Sequence, residues 1–288
     1  MTALDSDATW EMEKAAARMR GTISKRVGAW VLLILAALMA TVVFVLPPVP
    51  QPKTYHQFAD QRTHFGIANF ADVTSNLPFA VVGVWGLVFL LRSKSKERAA
   101  HFLDPRERRP YVFVFAGLLC TAAGSSYYHL QPDNSRLVWD RLPMAIVFMS
   151  MVGAVITERI SLPAGLWLLP VLNVIGAGSV FEWYASELHG SGDLRLYAAV
   201  QAYSALVLLV ALMFPAGYTR RWDLLVVLGF YVLAKIFELL DKPILSASHV
   251  MSGHTLKHLS AACAGYWILR MLEKRERLPW SNASKTKP

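Results

Sequence analysis

The chain is short of charge and of cysteine. Charged residues make up 17% of its 288 positions, against about 25% in an ordinary soluble domain. Hydrophobic residues reach 55%, which excludes a disordered chain. Only Cys120 and Cys263 are present, so a disulfide scaffold and a four-cysteine zinc module are excluded. Both lie in apolar runs and read as small packing residues. There is no HExxH zinc-protease signature and no CxxCH haem-attachment signature. Internal repeats and low-complexity tracts are also missing.

What is present is a series of apolar runs. A helix crossing a bilayer needs roughly 20 apolar residues. Residues 27–46, 73–91, 110–128, 160–181 and 196–219 carry no charge. Three shorter runs, 142–157, 224–234 and 259–269, are bounded by charges such as Arg141, Lys235 and Lys257. Eight runs joined by short loops do not suit one soluble core. The expected fold class is therefore an all-α membrane protein of eight spans.

The basic residues give the orientation. With the N-terminus cytoplasmic, 21 of the 29 Lys and Arg fall on the cytoplasmic side. They cluster in 14–26, 92–109 and 270–287, joined by Arg159, Arg220 and Arg221. Seven fall outside: Lys53, Arg62, Arg136, Arg141, Arg195, Lys242 and Lys257. This positive-inside bias implies both termini in the cytoplasm. The net charge of +9 is then a topology signal, and no nucleic-acid partner is expected. Residues 1–26 and 273–288 read as cytoplasmic tails, 27–46 as an uncleaved N-terminal anchor, and 50–272 as the membrane domain.

Ionisable residues inside spans mark functional sites. Ser125 and His129 are four apart at the outer end of the third span. Asp140 opens the fourth, and His254 and His258, again four apart, open the eighth. Residues four apart share a helix face. Three neutral imidazoles form a zinc site with one open coordination position. Asp140 would orient the metal-bound water or act as base, and Ser125 would donate to an oxyanion. Haem is a poor alternative, because His254 and His258 on one face cannot flank one iron. A structural metal clamp in a receptor or transporter stays open, although such a clamp needs neither Asp140 nor Ser125.

Ser125-x3-His129, Asp140 and His254-x3-His258, with Asp72-Val73-Thr74-Ser75-Asn76 at the start of span two, resemble the alkaline ceramidase family. That family belongs to a superfamily of seven-helix membrane hydrolases that includes the adiponectin receptors. The resemblance covers roughly residues 58–272 and makes 27–46 an extra helix. It implies zinc on His129, His254 and His258, with Asp140 and Ser125 as catalytic groups. It implies hydrolysis of a membrane-lipid substrate, a ceramide-like linear amide, into a fatty acid and an amine, at a site towards the non-cytoplasmic face. The number of copies in the assembly is left open. The family's calcium site has thin counterparts here in Asp60, Asn69 and Asp72, with Asn69 where the family has a glutamate. Loop and helix-capping roles are the expected use of these three.

Three further groups are possible supports. Lys235 and Glu238 are three apart and read as a structural ion pair. Asp241 continues towards the same face. Glu182, Glu187, His189, Asp193 and Arg195 surround an expected outer loop over 183–194, read as solvated. Trp139, Trp183 and Trp222 sit at span ends and read as interfacial anchors.

Overall fold

Helix starts follow local chemistry. Asp133 accepts the Arg136 amide at 2.7 Å, and Ser252 accepts the Thr255 amide at 3.0 Å. Ser161 accepts the Ala164 amide at 3.4 Å. Each satisfies an N–H that a first helical turn leaves orphaned. The computed structural model describes residues 25–92 and 101–278. Among these the chain forms helices without strands: α1 (Lys25–Val45), α2 (Phe70–Thr74), α3 (Leu77–Arg92), α4 (Arg108–Leu130) and α5 (Asn134–Val155). They continue with α6 (Leu162–Leu188), α7 (Arg195–Ala211), α8 (Asp223–Leu239), α9 (Asp241–Ser248) and α10 (Gly253–Lys274). Lys14, Arg18, Arg20, Lys94, Lys96, Arg98, Lys285 and Lys287 of the topology argument lie outside the described residues.

Five helical stretches are long and apolar enough to cross a membrane: Lys25–Val45, Phe70–Arg92, Pro105–Leu130, Asn134–Ile160 and Leu162–Leu188. The short run 142–157 is thus the middle of a longer helix that carries Asp140 and Arg141 inside it. The run 196–219 behaves oppositely, since its helix stops at Ala211. Pro215 lacks a backbone donor, and residues 212–219 turn back to put Tyr218 against Glu107.

Two expectations at the end of α6 need correction. The helix continues to Leu188, so Glu182 and Glu187 are helical and the loop shrinks to 189–194. Trp183 is wholly buried, so it is no interfacial anchor, whereas Trp139 and Trp222 are exposed at helix starts. The cysteines also differ from expectation. Cys120 and Cys263 are exposed on the outer faces of α4 and α10, because the inward faces of those helices are taken by other residues.

Loops gather at the two ends of the bundle. At one end Gln51 N donates to Gly192 O (3.0 Å), Gln51 Nε2 to Asn134 Oδ1 (3.1 Å) and Ala59 N to Asp241 Oδ2 (2.9 Å). At the other, Thr219 N donates to Glu276 O (2.9 Å) and the buried Arg275 guanidinium to Glu158 (2.7 Å). Consecutive long helices therefore run antiparallel. The apolar core of Phe115, Val152, Leu269 and Leu272 fills the interior between them. The α1 helix stands at the edge, held by Leu32 and by the Tyr203 hydroxyl on its carbonyl (3.3 Å).

Small residues set how closely the helices pack, as they do where lipid removes the hydrophobic drive between helices. A Cβ on Gly124 would overlap the Trp139 carbonyl. That contact draws α4 onto α5 beside Ser125 and Asp140. Gly124→Ala is expected to cost about 1–3 kcal/mol through overpacking, read as a lower thermal midpoint in detergent. Gly178→Ala, whose Cβ would meet nothing within 4 Å, should not lower the midpoint and should raise it slightly, because alanine is the better helix former.

Candidate metal centre

The last turn of α4 and the first two turns of α10 meet at one end of the bundle. His129, His254 and His258 are all buried there. Their ring centroids form a near-equilateral triangle with sides of 4.8, 4.9 and 4.8 Å. Ligand nitrogens of all three lie within 4.8 Å of one another. His129 Nε2 and His254 Nε2 are 3.3 Å apart. Two nitrogens 2.0–2.1 Å from one tetrahedral zinc stand about 3.3–3.4 Å apart. The donor set could hold a metal ion, and the His129–His254 pair has the separation of two ligands on one tetrahedral ion. Among the described residues this is the group of three or more His, Cys, Asp or Glu able to hold a metal.

Neighbours turn the rings. Ser75 Oγ donates to the Asp72 carbonyl (3.0 Å) and lies 2.8 Å from His258 Nδ1. A hydroxyl has one proton, so His258 Nδ1–H is the donor in that second contact, and its Nε2 lone pair is left free. This is how outer partners orient a metal-binding imidazole. Asn69 Nδ2 donates to the His129 carbonyl (2.8 Å), and the His254 amide donates to Asp241 Oδ1 (2.8 Å). Phe58 covers the centre from outside, its ring 4.5 Å from His129 and 4.6 Å from His254.

Ser125 and Asp140 come together as their positions suggest. Both border an apolar cavity of about 170 Å³, as does His258. A single water needs about 10–15 Å³, so the space suits something larger. The Ser125 hydroxyl is buried and interacts with the Asp140 carboxylate. The cavity wall runs along α5 from Asp140 to Met151 and along α10 from His258 to Ile268. At 1.5 Å per residue these walls are about 15–16 Å long, close to half of a ~30 Å hydrocarbon core. A second, more open pocket of about 320 Å³ lies outside His254, and Tyr55 and Glu238 border both spaces.

The three counterparts of the calcium site each have a partner within the protein. Asp60 accepts from Arg62 Nε (2.8 Å) and Nη2 (2.6 Å) and from the Arg62 amide (3.1 Å). The guanidinium holds the Asp60 carboxyl below its ordinary range. Asn69 is bonded to His129 as above. Asp72 Oδ1 accepts from Thr255 Oγ1 (2.7 Å). These are loop-tying and helix-tying roles. Lys235 and Glu238 form the expected ion pair (2.9 Å), and Lys257 on α10 shares the same carboxylate (3.2 Å). Asp241 bridges the Ala59 and His254 amides.

No family model matches the chain, and no curated protein matches it. The geometry therefore has to carry the functional argument. Sequence reading passed over Phe58 and Arg141, and it saw Ser75 only as part of a motif. An arginine next to the candidate base in a span start was the available signal for Arg141. Phe58 offered none, because its packing on the histidines depends on how a loop folds back.

Metal analysis tests the centre directly. Purified protein should carry about one zinc, as a three-histidine site would, and His129→Ala, His254→Ala and His258→Ala should each lose it. Ser75→Ala should weaken zinc binding about 10–100-fold, the usual effect of removing an orienting partner. Unchanged affinity in all four variants would exclude this centre.

Proposed function

We propose that the protein is a zinc-dependent integral-membrane hydrolase that cleaves a ceramide-like N-acyl lipid into a fatty acid and an amine. The observation that carries this is the buried Ser125 hydroxyl interacting with the Asp140 carboxylate, on the wall of an apolar cavity that the three-histidine group also borders through His258. The resemblance to the alkaline ceramidases supports the same reading.

His129, His254 and His258 would hold the ion. When bound, it supplies Lewis acidity towards a carbonyl oxygen and towards water. Asp140 accepts a proton from the water as its oxygen bonds to the amide carbon. The Ser125 hydroxyl donates to the carbonyl oxygen as that atom gains negative charge. Asp140 then returns the proton to the nitrogen as the C–N bond breaks, which leaves a carboxylic acid and an amine. The acyl tail lies along the apolar wall towards Met151 and Ile268. Water enters, and the amine leaves, past Tyr55 and Glu238, which border both pockets.

The reading places eight spans in the membrane, both termini in the cytoplasm and the centre towards the opposite face. The biased distribution of Lys and Arg supports this. A reporter fused after Glu273 should report the cytoplasm, and an external location would overturn the span count. The alternative, a receptor or transporter with a metal clamp, gives no use to a buried hydroxyl and carboxylate set side by side on the wall of an apolar cavity.

Lipid-amide hydrolysis by the purified protein decides between them. Asp140→Asn should lower turnover about 10²–10⁴-fold, the range for losing a general base, while zinc is retained. Ser125→Ala should lower it about 10²-fold or more, as for an oxyanion donor. Hydrolysis that survives His258→Ala would rule the mechanism out.

A further inference from the structure

The outer end of the apolar cavity holds a cation that the hydrolysis does not use. Arg141 is 3% exposed, and it borders the same cavity as Asp140 and His258. Its guanidinium carbon lies 4.1 Å from the Trp183 ring centroid, 5.0 Å from Tyr197 and 5.1 Å from Tyr55. Aromatic faces attract a cation but accept no strong hydrogen bond, and the Tyr55 side chain is the one member of the cage that also hydrogen-bonds the guanidinium. Arg141 Nε and Nη1 are buried and have no hydrogen-bond partner. Asp140 is the adjacent residue, and successive helical side chains do not face each other. An arginine keeps its charge under all conditions of interest, so this cation is buried with donors to spare, a costly arrangement inside a membrane bundle.

The charges around the cavity do not cancel. Lys235 and Lys257 share the single carboxylate of Glu238. Asp140 is the remaining acid on the wall, against Arg141. One positive charge is left over, before any metal is counted.

Position gives this excess a meaning. The apolar wall runs inward from Asp140, so an acyl chain extends that way. The group on the other side of the scissile amide must then lie outward. Tyr55 and Phe58 belong to one segment: Phe58 covers His129 and His254, and Tyr55 covers Arg141. Arg141 is therefore under the same covering segment as the metal-binding rings. We propose that Arg141 recognises a carboxylate or phosphate on the amine side of the lipid, so that the preferred substrates are N-acyl lipids with an anionic headgroup. This rests on the hydrolase reading for the identity of the ligand. The arginine site itself does not depend on turnover.

The test is equilibrium binding of three probes with the same twelve-carbon chain to the purified full chain in detergent. N-dodecanoylglycine carries the headgroup anion, N-dodecanoylethanolamine is its neutral counterpart, and dodecanoate represents the released acid. The wild type should bind the glycine conjugate about 10–100-fold more tightly than the ethanolamide, the usual effect of a hydrogen bond to a charged group. That ratio should collapse to near one in Arg141→Gln and be partly kept in Arg141→Lys. Equal binding of the two conjugates by the wild type would overturn the proposal, whether or not the glutamine variant folds. So would a preference that persists in Arg141→Gln, or an Arg141-dependent preference for dodecanoate alone. Hydrolysis of both conjugates is followed in parallel. Arg141-dependent binding without turnover would sink the hydrolase reading and leave the anion site standing. Turnover with equal binding would do the reverse.

Discussion

The end of the bundle that holds the three histidines depends on the short α2 helix and, within it, on the Asp72 carboxylate. Asp72 is fully buried. Its Oδ1 accepts from Thr255 in the first turn of α10 (2.7 Å), and its backbone carbonyl accepts from Ser75 (3.0 Å). Ser75 in turn meets His258, and Asn69 at the other end of α2 holds the His129 carbonyl. One turn and a half of helix thereby grips both helices that supply the imidazoles. Ser252 adds a longer contact to Oδ1 (3.4 Å), while Oδ2 is buried without a hydrogen-bond partner, so it is the Oδ1 contacts to the start of α10 that constrain its position against α2. The register of His254 and His258 follows from that constraint.

Packing adds the second condition. Gly124 lets the backbone of α5 lie directly against α4. Without that approach Ser125 and Asp140 would stand further apart, and the hydroxyl would not lie beside the carboxylate. The two ends of the bundle divide their tasks. The cytoplasm-facing end in the proposed topology is closed by a buried ion pair of Glu158 with Arg275, with Tyr111 donating to the same carboxylate (3.0 Å). The opposite end sets its polar groups on a cavity wall: Ser125 with Asp140, and Arg141 with Nε and Nη1 unpartnered.

Much of this was legible from residue order. The i, i+4 pairs Ser125–His129 and His254–His258 share faces for any right-handed helix. Lys235 and Glu238 pair for the same reason. The apolar runs located the helices, but run length misjudged two of them. The run 142–157 understated a helix that tolerates Asp140 and Arg141, because both are buried against partners or cavity. The run 196–219 overstated one, because Pro215 and the pull of Tyr218 towards Glu107 end the helix early. Trp183 was misplaced because an aromatic residue beside Glu182 looks interfacial in sequence, yet the helix carries it inward onto Arg141.

By itself the sequence determined the helical class, the apolar composition of the chain and the short-range faces that bear Ser125, His129, His254 and His258. These depend on contacts within one or two turns. Only the tertiary structure decided that the three rings converge with His129 and His254 nitrogens 3.3 Å apart, that Ser75 rather than a carboxylate orients His258, and that Arg141 is caged by Tyr55, Trp183 and Tyr197. Those contacts join segments tens to hundreds of positions apart. No local periodicity encodes them, because they arise when helices dock and loops fold back over their ends.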